Sequence, residues 1–499
     1  MNAPSLPARV LIVIAIWAAI YLPGLGTLEI KGEEGRRILP AITMLQTGNY
    51  IVPYVGSDPY FTKPPLVNWL VAASFKLFGK RSELAARIPS ALCVLLVALA
   101  FVTIARNCLG PGGSLAGALI WMANFGMVEK GRLIEIEALY VSLTGVAFVC
   151  WMSWWQERRS PWLTWIGPWL VLGLAMLAKG PVHLFFFYAL VVAVLYCAKD
   201  LRALWHPAHF AGIAIMLAIF AAWAIPCLAM MSEANVGRTW SRQFSGRLSG
   251  EDFNFSGWIM NIPRGLGYFL PWTLLLPFAA RRLVAGSRNI EHPTSNIQHR
   301  TGEPAGDTSM FGVRCSMFDV QRGLFSGITL SFLAVSLLPG SLPRYTMPLL
   351  APAAWLVAVL LRDRAAQFPR WVRAQRLPLI ISVAFAVGIA VYAFALMPRL
   401  QLRSKVRSIA VQINAALPSR EPLFALDPEY QPALFYVRDP IVYIATADEL
   451  PGSARWVLVQ PQQESAVAAR SGARAVLRLT DYRNKELVLY ELPSTAAAP

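Results

Sequence analysis

The chain has 499 residues, 56% hydrophobic and 15% charged, with a mean hydropathy of +0.48 and a formal net charge of +17. Repeated apolar runs that approach the roughly 20 residues needed to cross a bilayer exclude a wholly soluble enzyme. Nucleic-acid binding is excluded as the source of the charge, because Lys and Arg lie in short loops between those runs and no folded basic domain gathers them.

In chain order the apolar runs cover 9–25, 64–78, 84–105, 114–128, 134–155, 162–178, 181–198, 209–231, 264–280, 322–339, 346–361 and 377–397. The fold class expected is an all-α polytopic membrane domain of about 11–13 transmembrane helices, followed by a small soluble α/β domain. The first run follows Arg9 and lacks a small-residue cleavage pattern, so it reads as a retained helix rather than a signal peptide. Basic loops at Arg158–Arg159, Lys199–His206, the linker 281–321 and Arg362–Arg376 set the cytoplasmic side. Crossings counted from them put Glu129–Glu137, Lys179, the segment 232–262, Ser341–Tyr345 and everything after Met397 outside. The loop 25–63 fits that side only if one neighbouring run does not cross. The run 64–78, short and opened by Pro64-Pro65, is assigned as interfacial or re-entrant.

After residue 397 the texture changes. Short apolar segments at 422–426, 441–444, 456–459, 475–479 and 486–490, separated by polar stretches, predict a periplasmic α/β domain over 398–499. Residues 1–397 form the membrane domain. The six cysteines match no disulfide framework or metal spacing, and the histidines show no ligand spacing.

Three charged groups interrupt the apolar texture. Glu33-Glu34-Gly35-Arg36-Arg37 and Lys63 share the first long loop, where carboxylates beside cations at a membrane edge suit phosphate binding and proton transfer. Glu129, Lys130, Arg132, Glu135 and Glu137 form a second cluster, read either as a functional site or as a solvated helix end. On a continuous helix Arg132 and Glu135 share a face and pair. Lys179, before Gly180, is either a phosphate partner or a lysine snorkelling at a short turn. The segment 232–257, with Arg238, Trp240, Arg242 and Arg247, has the mixed texture of a surface-lying amphipathic helix.

These motifs resemble the bacterial aminoarabinose (lipid A) transferases, C-type membrane glycosyltransferases related to the protein O-mannosyltransferases. The residues that carry the resemblance are the acidic pair with its arginines, Met44-Leu45-Gln46-Thr47-Gly48-Asn49-Tyr50, Pro59-Tyr60-Phe61-Thr62-Lys63-Pro64-Pro65, Ala85-Ala86-Arg87-Ile88-Pro89, Lys179-Gly180-Pro181, Leu270-Pro271-Trp272 and Leu342-Pro343-Arg344-Tyr345-Thr346-Met347-Pro348. The resemblance implies an inverting transferase at the periplasmic face of the inner membrane. Its donor is a sugar on polyprenyl phosphate and its acceptor lipid A or another envelope glycan or protein.

By the same resemblance Glu33, Glu34, Glu135 and Glu137 supply the catalytic carboxylates. Arg36, Lys63, Lys179 and Arg247 bind the donor phosphate, and Tyr60, Arg132 and Tyr345 line the substrate. The chain departs from the family pattern at Thr62, where relatives have an acid, at Gln243-Phe244, where many have Glu-His, and at Gly340-Ser341, where many have Ser-Lys. Because the missing acid and histidine are the pattern's obvious metal ligands, no metal or other cofactor is expected. A protein O-glycosyltransferase of the same fold and, from a different class, a lipid or solute transporter are the alternative readings.

Overall fold

A computed structural model describes residues 4–60, 62–231, 253–277, 317–363, 376–402, 405–418, 421–428, 430–438, 440–470, 472–481 and 483–493. The first half is an antiparallel helical bundle built from α1 (Leu6–Tyr21), α2 (Gly35–Thr47), α3 (Leu66–Phe78), α4 (Glu83–Thr103), α5 (Arg106–Met122), α6 (Phe125–Lys130), α7 (Ile136–Gln156), α8 (Pro161–Lys179), α9 (Val182–Cys197) and α10 (Pro207–Met230). Helices Met317–Ser336, Leu350–Asp363 and Arg376–Val391 complete it. Among the described residues six helical stretches are long and apolar enough to cross a membrane: α4, α7, α8, α10, Pro343–Asp363 and Arg376–Gln401. In α10 and Arg376–Gln401 most of the apolar surface faces away from the protein, as lipid-facing helices require and water-soluble ones avoid.

Helix α3, at 13 residues, rises only about 20 Å, short of the roughly 30 Å hydrocarbon layer. It packs between α2 and α4. The apolar run 264–280 is broken within its described part. Helix Asn261–Tyr268 stops before Pro271, which has no N–H to continue the ladder, and a single turn Trp272–Leu275 follows. Trp272 is fully buried, its indole donating to the Ala123 carbonyl at 2.7 Å.

The direction of the helices separates the charges into two ends. Helix α7 runs from Glu137 to Gln156, and α8 returns to Lys179, which meets Glu137 at 3.2 Å. Helix α9 leaves that end, and α10 comes back to place the Trp223 indole 2.9 Å from the Ile51 carbonyl in the first loop. At the opposite end Trp155 bonds Asp200 at 2.9 Å and Arg362 bonds the Cys108 carbonyl at 2.9 Å, so the turns carrying Arg106, Arg158, Arg159, Lys199, Arg202 and Arg362 gather there. One end of the bundle is thus basic, as lipid-facing turns on the inner side are.

Beyond Met397 a five-stranded sheet forms from β3 (Leu423–Leu426), β4 (Ile441–Ile444), β5 (Trp456–Val459), β6 (Arg474–Thr480) and β7 (Glu486–Glu491), in spatial order β4-β3-β5-β7-β6; β1 (Tyr54–Val55) and β2 (Asp58–Pro59) make a separate small hairpin. Strands β3, β4 and β5 pair in parallel and β7 joins antiparallel. Strands β3 and β5 are buried at every position, the continuous apolar texture expected of strands covered on both faces. All five apolar segments read from the sequence are strands. The sheet unit is fastened to the first loop. Glu29 accepts from the backbone N–H groups of Val406 and Arg407 at 2.8 and 3.2 Å, capping helix Val406–Ala416, and Glu83 takes both Arg407 and the Tyr436 hydroxyl.

Candidate active site

At the non-basic end a cleft of about 470 Å³ opens between the first loop, the start of α7, the end of α8 and the Leu342–Tyr345 turn. It is lined by Glu33, Arg36, Lys63, Glu135, Glu137, Lys179, Tyr60 and Tyr345, groups that the sequence spreads over more than 300 positions. Arg37, Asp58, Arg344 and Tyr430 join them.

Glu33 sits mid-way in the single helical turn Gly32–Glu34 and, about 43% exposed, faces the cleft, reaching Arg36 at 3.3 Å and Arg37 at 3.5 Å. Arg37 is buried and donates to the Tyr60 hydroxyl at 2.7 Å, tying α2 to the hairpin loop that carries Lys63. Lys179 is the last residue of α8. Gly180 follows at φ 87°, a left-handed conformation that ends the helix and that side chains rarely adopt, and so leaves the lysine at the helix tip. Its ammonium lies 5.0 Å from the ring centres of both Tyr140 and Tyr345 and 3.2 Å from Glu137. Arg344 approaches the same Glu137 carboxylate at 3.4 Å. Glu137 therefore organises two cations rather than standing open to solvent.

Glu135 precedes α7 and pairs with Lys130 at 3.0 Å, and Lys130 also holds Glu129 at 2.9 Å. Burial pushes the Glu135 carboxyl above its ordinary range, and Lys130 offsets only part of that cost. The Lys130 ammonium is also disfavoured by burial, but Glu135 and then Glu129 more than compensate, and its pKa lies above the ordinary lysine value.

Two of the residues named from the sequence are not in the cleft. Glu34, one residue from Glu33, turns inward. It takes Arg87 at 2.7 and 2.8 Å and the Ile134 N–H at 3.1 Å, with both side chains almost fully buried. Arg132 does not pair with Glu135. The helix ends at Lys130 and a turn through Gly131 intervenes, so the face-sharing expected of a continuous helix is lost. Arg132 instead donates to the carbonyls of Ile20 at 2.7 Å and Pro23 at 2.6 Å, satisfying orphan groups at the end of α1. Arg247, with Gln243 and Phe244, lies outside the described residues, as does most of the segment 232–257.

Asp58, Arg344 and Tyr430 were the residues that sequence reasoning left out of the site. Arg344 stands beside Tyr345 in the Leu-Pro-Arg-Tyr motif, and its position at the start of an apolar run on the same side as Lys179 was the available signal. Nothing near Tyr430 in the sequence points to the cleft. Among the described residues no three His, Cys, Asp or Glu side chains converge in a way that would hold a metal ion.

A family model described as dolichyl-phosphate-mannose-protein mannosyltransferase matches residues 62–225. An undecaprenyl phosphate-alpha-4-amino-4-deoxy-L-arabinose arabinosyl transferase of Pseudomonas fluorescens is 26% identical over 342 residues, 67% of this chain and 56% of that protein. One from Pseudomonas aeruginosa is 29% identical over 397 residues, 75% of this chain and 62% of that protein. The chain thus spans less than two thirds of the length of these relatives. The crystal structure of ArnT from Cupriavidus metallidurans bound to undecaprenyl phosphate matches with a TM-score of 0.71 at 18% identity, covering 99% of this chain and 100% of that one. The fold is therefore the C-type membrane glycosyltransferase fold with its small sheet unit, and the similarity to aminoarabinose transferases read from the motifs is borne out.

Proposed function

We propose that this protein is an inverting glycosyltransferase of the inner membrane that moves a sugar from undecaprenyl phosphate to lipid A or another envelope acceptor at the periplasmic face. The observation that carries the reading is the gathering of Arg36, Arg37, Lys63, Lys179 and Arg344 around a few carboxylates in one cleft, at the end of the bundle opposite the basic turns. That excess of cations suits a single donor phosphate. A transporter would distribute its charged groups along a path between two gates.

In the reaction the acceptor oxygen attacks the anomeric carbon from the face opposite the phosphate, the carbon–oxygen bond to phosphate breaks, and undecaprenyl monophosphate departs with one more negative charge. Lys179 and Arg344, held in place by Glu137, and Lys63 from the hairpin loop oppose that charge in a site partly screened from water. Glu33, a half-exposed carboxylate of the cleft beside Arg36 and Arg37, takes the proton of a hydroxyl acceptor and only orients an acceptor phosphate that is already ionised. The longer carboxylate at Glu33, where the family resemblance gives an aspartate, and Ser341, where many relatives have lysine, go with a sugar other than aminoarabinose.

Purified protein in detergent, given radiolabelled undecaprenyl-phosphate sugars and lipid A, is expected to produce labelled lipid A and free undecaprenyl phosphate. Absence of transfer across a panel of sugars and envelope acceptors would reject the reading. Orientation is tested separately. In a cysteine-free background, cysteines at the exposed positions Asp58 and Pro451 should react with an impermeant thiol reagent from outside, and those at Arg159 and Arg202 should not. Labelling of Asp58 and Pro451 from opposite sides would separate the sheet unit from the cleft.

A further inference from the structure

The sheet unit sends one side chain into the cleft. Tyr430 follows β3 and lies at the cleft wall beside Glu33 and Arg36. Its hydroxyl donates to the Gly32 carbonyl, in the turn that carries Glu33. The Arg36 guanidinium stands 5.3 Å over the Tyr430 ring and that of Arg483 stands 5.1 Å over it. Arg483 also donates to the Tyr430 carbonyl at 2.7 Å and is locked by Asp481 at 2.6 and 2.8 Å. Asp481 is buried and additionally accepts from the backbone N–H groups of Arg483 and Lys485. The β6–β7 turn is thereby a rigid buttress behind the tyrosine.

Gly35 completes the arrangement. Its backbone is ordinary right-handed helix, φ −61° and ψ −33°, so alanine would suit its conformation and raise helix propensity. A Cβ there, however, would sit 2.5 Å from the Tyr430 hydroxyl and 2.8 Å from its ring. The space above Gly35 is filled by Tyr430 itself.

We propose that Tyr430 is a positioning residue through which the sheet unit sets the Glu33–Arg36 edge of the cleft for the incoming acceptor. The inference rests on the transfer reading above for the word acceptor. The edge it sets is the half-exposed side of the cleft, next to the sheet unit, whereas Lys179 and Arg344 lie across from it on the helical bundle. Tyr430 acts through the Gly32 carbonyl, which fixes the turn bearing Glu33, and through its ring, which fixes the plane of Arg36. No chemistry is assigned to its hydroxyl beyond that bond.

The test is a cycle of full-length variants assayed with the undecaprenyl-phosphate sugar and lipid A that the wild type uses. Tyr430→Phe, which keeps the ring and loses one hydrogen bond, is expected to raise the acceptor KM about 5-fold, with a fall in kcat far smaller than that of Glu33→Gln. Tyr430→Ala should raise it roughly 30-fold, and Gly35→Ala should approach that value by displacing the ring. The double variant Gly35→Ala/Tyr430→Ala should be no worse than Tyr430→Ala alone, because the clash has gone; additive losses, or an unchanged acceptor KM in Tyr430→Ala, would overturn the proposal. Hydrogen exchange supplies a readout that does not depend on transfer. Backbone amides at 32–37 should exchange about tenfold faster in Tyr430→Ala while those at 172–179 stay as in the wild type. Unchanged exchange at 32–37 overturns the positioning role even in a protein that transfers no sugar, and faster exchange in such a protein retains the role while rejecting the transferase reading.

Discussion

Lys179→Met should cut sugar transfer by about 10²- to 10³-fold, the size of effect seen when a fixed donor to a developing anion is removed. The lysine sits at a helix tip between two tyrosine rings, and methionine keeps the hydrocarbon stem that packs there. Glu137 retains Arg344 at 3.4 Å, so its carboxylate is not left buried without a cation and the fold should survive. Lys179→Arg restores charge with a planar head that does not reproduce the compact ammonium, and it should recover only part of the rate. The check is single-turnover transfer with donor in excess, together with thermal denaturation of the purified variant. A Lys179→Met protein that is folded and transfers at the wild-type rate would remove the lysine from the phosphate site.

Glu33 and Glu34, neighbours in the chain, should give opposite phenotypes. Glu34→Ala leaves Arg87 buried with its charge uncompensated and also strips the Ile134 N–H of its acceptor, a loss of about 3–5 kcal/mol. Glu33→Gln removes only partly exposed ion pairs with Arg36 and Arg37, which contribute about 0–1 kcal/mol to stability, yet it should lower transfer to a hydroxyl acceptor by about 10²-fold or more. Thermal denaturation in detergent and transfer kinetics on the same preparations separate the two. Combining Glu34→Leu with Arg87→Met should recover much of the stability lost in Glu34→Ala, since an apolar pair of similar volume replaces both charges. Equal stability of Glu33→Gln and Glu34→Ala would show that the Glu34–Arg87 pair does not hold the first loop.

The same two residues mark the limit of what the sequence could tell. Apolar runs were enough to locate the long helices and all five strands because continuous hydrophobicity is a local signal, whereas α2 lay inside the stretch read as the first loop and the run 264–280 proved broken. The cleft residues Glu33, Arg36, Lys63, Glu135, Glu137 and Lys179 were legible because charge beside a membrane run is locally anomalous, and Tyr60 and Tyr345 through the family motifs that carry them. Which of two adjacent acids faces the cleft was not legible. Adjacent residues at a helix start point about 100° apart, and the choice is made by Arg87, whose place relative to the loop is a tertiary fact. Arg132 was misassigned for a related reason. Its neighbours looked helical, but the chain turns at Gly131 and the guanidinium finds carbonyls more than 100 positions away. Tyr430 is separated from Gly32 by 398 residues in an unrelated texture, so no window of sequence could join them.

The capping of helix Val406–Ala416 by Glu29, with the meeting of Glu83, Arg407 and Tyr436, bears on how the protein is made. A ribosome releases the first loop well before the sheet unit, so Glu29 and Glu83 wait through the synthesis and insertion of nearly the whole bundle before their partners exist. Contacts this remote in sequence form late and carry a large closure cost. A chain interrupted before the sheet unit would hold its cations in the membrane but lack the outer wall against which the Glu33 turn rests. The Glu33 edge of the cleft is therefore completed only once the sheet strands have emerged.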